Sequence, residues 1–203
     1  MSYLPSEEPG AWLTRDTLFH QLMVQFGLVA ARFQRDAEAM RILDYGGAFG
    51  LHAMALKRML PRLRFDYTVC ELPAFCSEGR RLNSDVRFVK SLTEAGDGYD
   101  LVYASSSVQY TRDWRSLLYN LCAASAGGVF VTRTPFVLTG PSFVVMQRAY
   151  GTQYPGWIFN LDEFVQAAHT AGSRRLQEVF VNGRGLAVRG ASEPNAHLGL
   201  LFT

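Results

Sequence analysis

Two carboxylates and a run of glycines carry the chemistry legible in this chain. Asp44 closes an apolar stretch with Ile42 and Leu43, and Gly46, Gly47, Ala48 and Gly50 follow before Ala53, Leu56 and Leu60 recur at helical spacing. The order strand, glycine turn, helix marks the first unit of a doubly wound α/β sheet, whose ligands sit beyond the carboxyl ends of the strands. Glycines there let the backbone turn tightly and approach a bound molecule. Glu71 ends a second stretch, FDYTVC at 65–70, one strand-helix-strand unit further on. An acid in that position is placed to accept hydrogen bonds from both hydroxyls of a ribose, and Leu72 and Pro73 add an apolar wall for the base. The plainer roles are a turn that only packs strand against helix, and a carboxylate favoured by the dipole of the helix that follows.

Spacing separates the cofactor classes that use such a turn. The dinucleotide fingerprint G-x-G-x-x-G is absent: counted from Gly46 the required positions hold Ala48 and Leu51, and counted from Gly47 they hold Phe49 and His52. The element present, Asp44, Gly46, Ala48, Gly50, resembles the D/E-x-G-x-G-x-G element of class I S-adenosylmethionine-dependent methyltransferases, with alanine for the central glycine. S-adenosylmethionine carries an α-ammonium in place of a phosphate, and a strand-end carboxylate binds it by a charge-assisted hydrogen bond.

The rest of the chain must position these groups. Residues 1–10, with Pro5, Pro9 and Gly10, read as an irregular lead-in. Trp12, Phe19, Leu22, Met23, Phe26, Val29 and Phe33 predict amphipathic helix over 11–40, possible as two helices broken near Gly27. In the resembled fold such helices cover the cofactor mouth, which makes His20 a candidate base. A strand at 86–89 leads to Ser91 and Leu92, where these methyltransferases often hold an acid for the adenine amino group, and no acid stands there. The apolar run at 99–104 predicts a strand buried on both faces, ending in Ser105, Ser106 and Ser107 beside the reacting centre, with Gln109 and Tyr110 as acceptor contacts. A helix at 114–124 is expected to stop at Ala126-Gly127-Gly128, before a fifth strand at 129–132 that ends in Arg133. Residues 136–160 read as a long loop, a lid in which Arg133, Gln147 and Arg148 meet a polar acceptor and Tyr154 and Trp157 stack on it, with Phe143 and Tyr150 as further aromatics. A helix at 161–171 capped by Asn160 and a closing hairpin, 176–181 with 198–202, complete the pattern; 182–197 reads as an exposed connection.

The combination LDYGGAFG, VCELP, ASSSVQY, VTRTPF and QYPGWIFN is similar to a family of class I methyltransferases met among bacterial genes for surface polysaccharide and specialised metabolism. The resemblance spans about 41–180. It implies an α/β, Rossmann-like fold with a seven-stranded, mostly parallel sheet, helices on both faces and an N-terminal helical cap at 1–40 on a single unit at 41–203. It implies a bound S-adenosylmethionine at Asp44, the turn of Gly46, Gly47, Ala48 and Gly50, and Glu71, and adds little about the acceptor. From their places at the strand ends Leu72, Ser91, Leu92, Ser105 and Ser106 join the cofactor set, and the reaction expected is methyl transfer to an oxygen or nitrogen of a small-molecule or saccharide acceptor held by Gln109, Tyr110, Arg133, Tyr154 and Trp157. His20, His52 and Tyr110 are the groups placed to take a proton, His20 first.

At 203 residues the chain has the length of one domain. A net charge of +2 with acids and bases interspersed gives no clustered basic stripe for nucleic acid. Cys70, Cys76 and Cys122 are an odd number without close metal spacing, which suits free thiols in a reducing cytoplasm and no metal site. No apolar run reaches the roughly 18 residues of a membrane span. The rivals are an NAD(P)-dependent oxidoreductase or epimerase, which lacks its diphosphate fingerprint and a Tyr-x-x-x-Lys pair here, and a binding protein that keeps the fold without turnover.

Overall fold

Along Leu101, Val102, Tyr103 and Ala104 the side chains alternate between two separate apolar clusters, because successive residues of a strand point to opposite faces of a sheet. Leu101 and Tyr103 pack with Phe26, Leu56 and Cys76 on one side, and Val102 and Ala104 with Trp114, Leu118 and Phe164 on the other. Burial on both faces explains the unbroken apolar run. The computed structural model describes residues 17–34, 38–149, 151–172 and 174–203. The expected lead-in at 1–10, the start of the expected 11–40 helix with Trp12, and Tyr150 lie outside the described residues.

The elements in chain order are α1 (Thr17–Phe33), β1 (Met40–Tyr45), α2 (Leu51–Met59), β2 (Phe65–Cys70), α3 (Pro73–Leu82), β3 (Arg87–Val89), α4 (Leu92–Ala95) and β4 (Tyr99–Ser105). A 3-10 turn at Val108–Tyr110 precedes α5 (Trp114–Ala124), β5 (Ser125–Val137), β6 (Phe143–Ala149), β7 (Thr152–Asn160), α6 (Leu161–Gly172), β8 (Leu176–Arg184) and β9 (Ala196–Phe202). Strands β3-β2-β1-β4-β5 are parallel neighbours in that order, and β9 lies antiparallel between β5 and β8. Order therefore reverses at β1 and β4, and the crevice beyond their carboxyl ends is the switch point where such sheets bind ligands.

Two expectations need correction and a third is decided. The sheet has nine strands, not seven. The extra pair is the segment read as a lid loop: β6 and β7 form a hairpin in register from Phe143↔Ile158 to Ala149↔Thr152. It joins the sheet because β5 is 13 residues long and outruns β4, which ends at Ser105↔Thr132; the side of β5 so freed pairs with β7 at Phe136↔Phe159 and Val137↔Asn160. Second, Gly127 and Gly128 do not stop a helix but lie inside β5, where a Cβ on Gly127 would overlap the backbone oxygen of Asp100 and one on Gly128 the Phe33 ring at the end of α1. Third, of the two readings of 11–40, one helix or two broken near Gly27, the described part shows the first: α1 runs through Gly27 unbroken. Asn160 does cap α6, its Oδ1 accepting from Glu163 N at 2.9 Å. No helix among the described residues is long and apolar enough to cross a membrane.

Candidate functional site

Three non-glycine residues hold positive φ among the described residues: Ala48 at 48°, Ser106 at 52° and Arg133 at 51°. They follow β1, end β4 and interrupt β5, so local strain gathers on one edge of the sheet. Gly46 (φ 74°) approaches Ser107 so closely that a Cβ would lie 2.5 Å from the serine Cβ, and Ser107 Oγ donates to Tyr45 O at 2.9 Å. This ties the turn after β1 to the loop after β4.

Asp44 lies beneath that turn. Its side chain is 0 % exposed, and Oδ2 accepts from Tyr67 OH at 2.9 Å and faces His52 Nδ1 at 2.9 Å. An ionised carboxylate only accepts, so Nδ1 carries a hydrogen in this pairing. Oδ1 is buried with no hydrogen-bond partner among the described residues. Burial first, and then the charge of Asp44, push the Tyr67 phenol well above the ordinary tyrosine range. The carboxylate fills the space where Gly47 would carry a side chain, which is the reason for a glycine there.

Glu71 stands differently. It is half-buried at the end of β2, with Oε1 accepting from Ala48 N at 3.2 Å and Oε2 from Leu72 N at 2.7 Å. A carboxylate offers about four lone-pair positions, so each oxygen keeps one for a ligand. Glu71 lines a cleft of about 640 Å³ that runs from Gly46 past Leu72, Ser91 and Leu92 to Ser106 and Tyr110. Cys70 is in the same wall, and burial, with Cys76 and Glu71 nearby, pushes its thiol up to about 12. At the third strand, Ser91 caps α4 by accepting from Glu94 N at 3.1 Å, while Glu94 Oε2 accepts from Lys90 N at 2.8 Å. This capping box supplies an acid, Glu94, three residues beyond the expected position.

A second cleft of about 350 Å³ adjoins the first, sharing Tyr110 and Thr111 with it, and is completed by Gln109, Val144, Pro155 and Trp157. Tyr110 packs edge-on against Tyr154 at 5.5 Å between ring centroids, and its hydroxyl donates to Gln147 Oε1 at 3.4 Å. Tyr154 itself lines a further groove against residues 186–189.

The expected cofactor residues thus separate. Gly46, Glu71, Leu72, Ser91, Leu92 and Ser106 meet at one cleft, Ala48 offers its N–H to Glu71, and Asp44, Gly47, Gly50 and Ser105 are buried out of that cleft. Of the acceptor residues, Gln109, Tyr110 and Trp157 share the second cleft, whereas Arg133 and Tyr154 do not line it. His20 is exposed on α1 and lines neither cleft. Lys90, Thr111 and Asn120 also line the first cleft: Lys90 and Thr111 adjoin Ser91 and Tyr110 in sequence, whereas Asn120 was not legible because only the packing of α5 beside the strand ends brings it there.

No family model and no curated protein matches the chain. Solved structures do. CalS10 of Micromonospora echinaspora, an amino pentose methyltransferase involved in calicheamicin biosynthesis whose structure holds S-adenosylmethionine, is similar with a TM-score of 0.63 at 15 % identity, over 98 % of this chain and 99 % of that one. An S-adenosylmethionine-dependent methyltransferase of Mesorhizobium loti gives 0.57 at 12 %, over 86 % and 95 %. A pericyclic reaction enzyme gives 0.60 at 12 %, over 97 % of this chain and 55 % of that one, so this chain spans about half its length. The fold is therefore the Rossmann-like fold of class I methyltransferases, with two extra strands.

Proposed function

We propose that this protein binds S-adenosylmethionine in the 640 Å³ cleft and transfers its methyl group to an oxygen or nitrogen of a small-molecule acceptor held in the adjoining cleft. The observation that carries this reading is Glu71, a strand-end carboxylate fixed by two backbone N–H groups, one of them from the glycine turn, with acceptor capacity left for two ribose hydroxyls. Leu72, Ser91 and Leu92 flank the adenine. Asp44 lies beneath the turn after β1 with Oδ1 unpartnered among the described residues, so it meets the cofactor's ammonium only where that turn opens on binding. Ser105 and Ser106, at the end of β4, border the reacting centre.

When bound, the cofactor supplies an electrophilic methyl carbon on a good leaving group. The protein's share is then to hold the acceptor in line and to exclude water. Tyr110, in the wall common to both clefts, is placed to relay the acceptor's proton to water, giving up its own hydroxyl hydrogen as it takes one from the acceptor. His20 is the less favoured candidate, being exposed on α1. Arg133 and Tyr154, which do not line the second cleft, take no part in holding the acceptor in this reading. The three buried free cysteines suit work in a reducing cytoplasm, and the motifs shared with the bacterial family suit a place in polysaccharide or specialised metabolism.

Calorimetric titration with S-adenosylmethionine, S-adenosylhomocysteine and NADH tests the reading. Both adenosyl ligands bind, NADH does not, and Glu71→Gln weakens the adenosyl ligands while Asp44→Asn weakens them and lowers stability. Binding of NADH alone, or adenosyl binding indifferent to both changes, would refute it. A second reading, a fold kept for binding without turnover, is favoured by the third-strand end of the first cleft, where Ser91 and Leu92 stand and, among the described residues, no acid lines that end of the wall; it predicts ligand binding with no methylated product.

A further inference from the structure

Gln109 is 2 % exposed, and its two ends are in different situations. Nε2 donates to Ser106 Oγ at 3.2 Å and to Arg133 O at 3.5 Å. A backbone carbonyl only accepts, so this contact fixes which end of the amide is nitrogen. Oε1, facing the other way, is buried with no hydrogen-bond partner among the described residues. Both of its anchors, Ser106 and Arg133, sit at positive φ, so the amide is held by the strained loop ends of β4 and β5. A buried amide oxygen without a donor costs roughly 1–3 kcal/mol, a cost that persists where a ligand supplies the donor.

The cleft that Gln109 lines has about 350 Å³, at the small end of ligand pockets. Val144, Pro155 and Trp157 give it apolar walls, Trp157 being braced by Phe159 in a stacked pair at 6.2 Å. Polar groups are few: Thr111, the Tyr110 ring with its hydroxyl turned to Gln147, and Arg112, exposed at the rim. A saccharide presents hydroxyls on every side and needs a partner for each, which these walls do not offer. A flat apolar ring bearing one O–H or N–H does fit them.

We propose that Gln109 is the specificity-determining residue of the acceptor cleft and that the acceptor is a small aromatic alcohol or amine, whose O–H or N–H donates to Gln109 Oε1 while its ring lies between Trp157 and Tyr110. This rests on the methyl-transfer reading of the neighbouring cleft, but ring recognition is measured without it. Selection follows from the missing donor: a ring of the same shape lacking O–H or N–H leaves the buried oxygen unpaired and binds less well.

The test uses the full chain and 4-methylphenol, 4-methylaniline, toluene and glucose as probes, titrated with and without S-adenosylhomocysteine and followed by ligand-observed NMR. The phenol and the aniline bind about tenfold more tightly than toluene, the effect of one buried hydrogen bond, and glucose does not compete. Gln109→Met removes the preference over toluene while leaving toluene binding unchanged. Val144→Trp, at a half-exposed rim position outside the amide's anchors, weakens all three aromatic probes by filling the cleft, so the outcome stands even where Gln109→Met fails to fold. Equal binding of toluene and 4-methylphenol, tighter binding of glucose, or indifference to Val144→Trp overturns the proposal. Failure of S-adenosylhomocysteine to bind while the aromatic preference holds overturns the methyl-transfer reading and leaves Gln109 its role in recognition.

Discussion

The turn after β1 and the interruption of β5 each hold a non-glycine residue near φ 50°, Ala48 and Arg133, but they are secured over different spans of chain. Ala48 sits between Gly46 and Gly50, within a turn closed by Gly50 N donating to Gly47 O at 2.9 Å, and its own N–H reaches Glu71 on the next strand. Arg133 is held by residues far along the sequence: its N–H donates to Asn182 Oδ1 at 2.9 Å and its carbonyl accepts from Gln109. The register of β5 against β9 shifts between Val131 and Thr134 around it, a bulge that re-aims the strand toward β7. The first region is written in a motif. The second depends on long-range pairing of one strand, and it is the one that shapes the acceptor cleft.

The sharpest break of this contrast is Gly47→Ala. The new methyl group would overlap the Asp44 carboxylate, which is buried and gripped by His52 and Tyr67. A loss of roughly 3 kcal/mol of stability is expected in chemical denaturation. A stability within 0.5 kcal/mol of the parent, on the scale of a neutral surface change, would mean that the turn is not rigidly seated. Next is Glu71→Gln, expected to weaken S-adenosylhomocysteine roughly tenfold with little change in unfolding midpoint; calorimetry reads the first and circular dichroism the second.

Smaller effects separate the two regions further. Ala48→Gly and Arg133→Gly each relieve a left-handed side chain, for a gain of about 1 kcal/mol or less after the entropy of glycine is counted. The two gains should add, since the sites share no partner. Non-additivity measured by denaturation would show that turn and bulge are coupled. The smallest effect belongs to Glu193, whose carboxyl accepts from the backbone N–H groups of Leu138, Thr139 and Gly140 where β5 passes into the hairpin. These bonds, Gly140 first, hold it below the ordinary glutamate range. A depressed folded value means that the stabilisation is complete above the ordinary value near ~4.3 and is lost as pH falls through the folded one. Protection factors for hydrogen exchange at Leu138 and Thr139, taken against the intrinsic rate at each pH, should therefore fall as pH drops through that window in the parent, and already be low at pH 7 in Glu193→Gln.

Legibility followed the same division. FDYTVC became β2 and Trp114–Ala124 became α5 at the expected bounds, because period two and period 3.6 are decided within a few residues. The parallel sheet and its closing antiparallel pair came with the motif order. Glu71, Leu72, Ser91, Leu92 and Ser106 were legible at the cleft because strand ends in a doubly wound sheet converge there. The hairpin was not, since Gly140, Pro141, Gly151 and Pro155 read as loop punctuation; Pro155 is tolerated in an exposed stretch of β7. Nor was the pairing of Asp44 with His52 and Tyr67, eight and 23 residues away, since it needs the turn and the neighbouring strand in place. Gly127 and Gly128 misled because the need for a small residue came from the Asp100 backbone on the neighbouring strand and from Phe33, almost a hundred positions earlier.

The hairpin's attachment to the sheet has a practical consequence. It is paired to β5 only at Phe136↔Phe159 and Val137↔Asn160, yet it contributes Val144, Pro155 and Trp157 to the acceptor cleft and nothing to the wall that Glu71 commands. Residues 143–158 are thus an exchangeable cassette: under the proposed function, a foreign hairpin grafted between Val137 and Phe159 would retune which molecules enter the second cleft and leave the first cleft as it is.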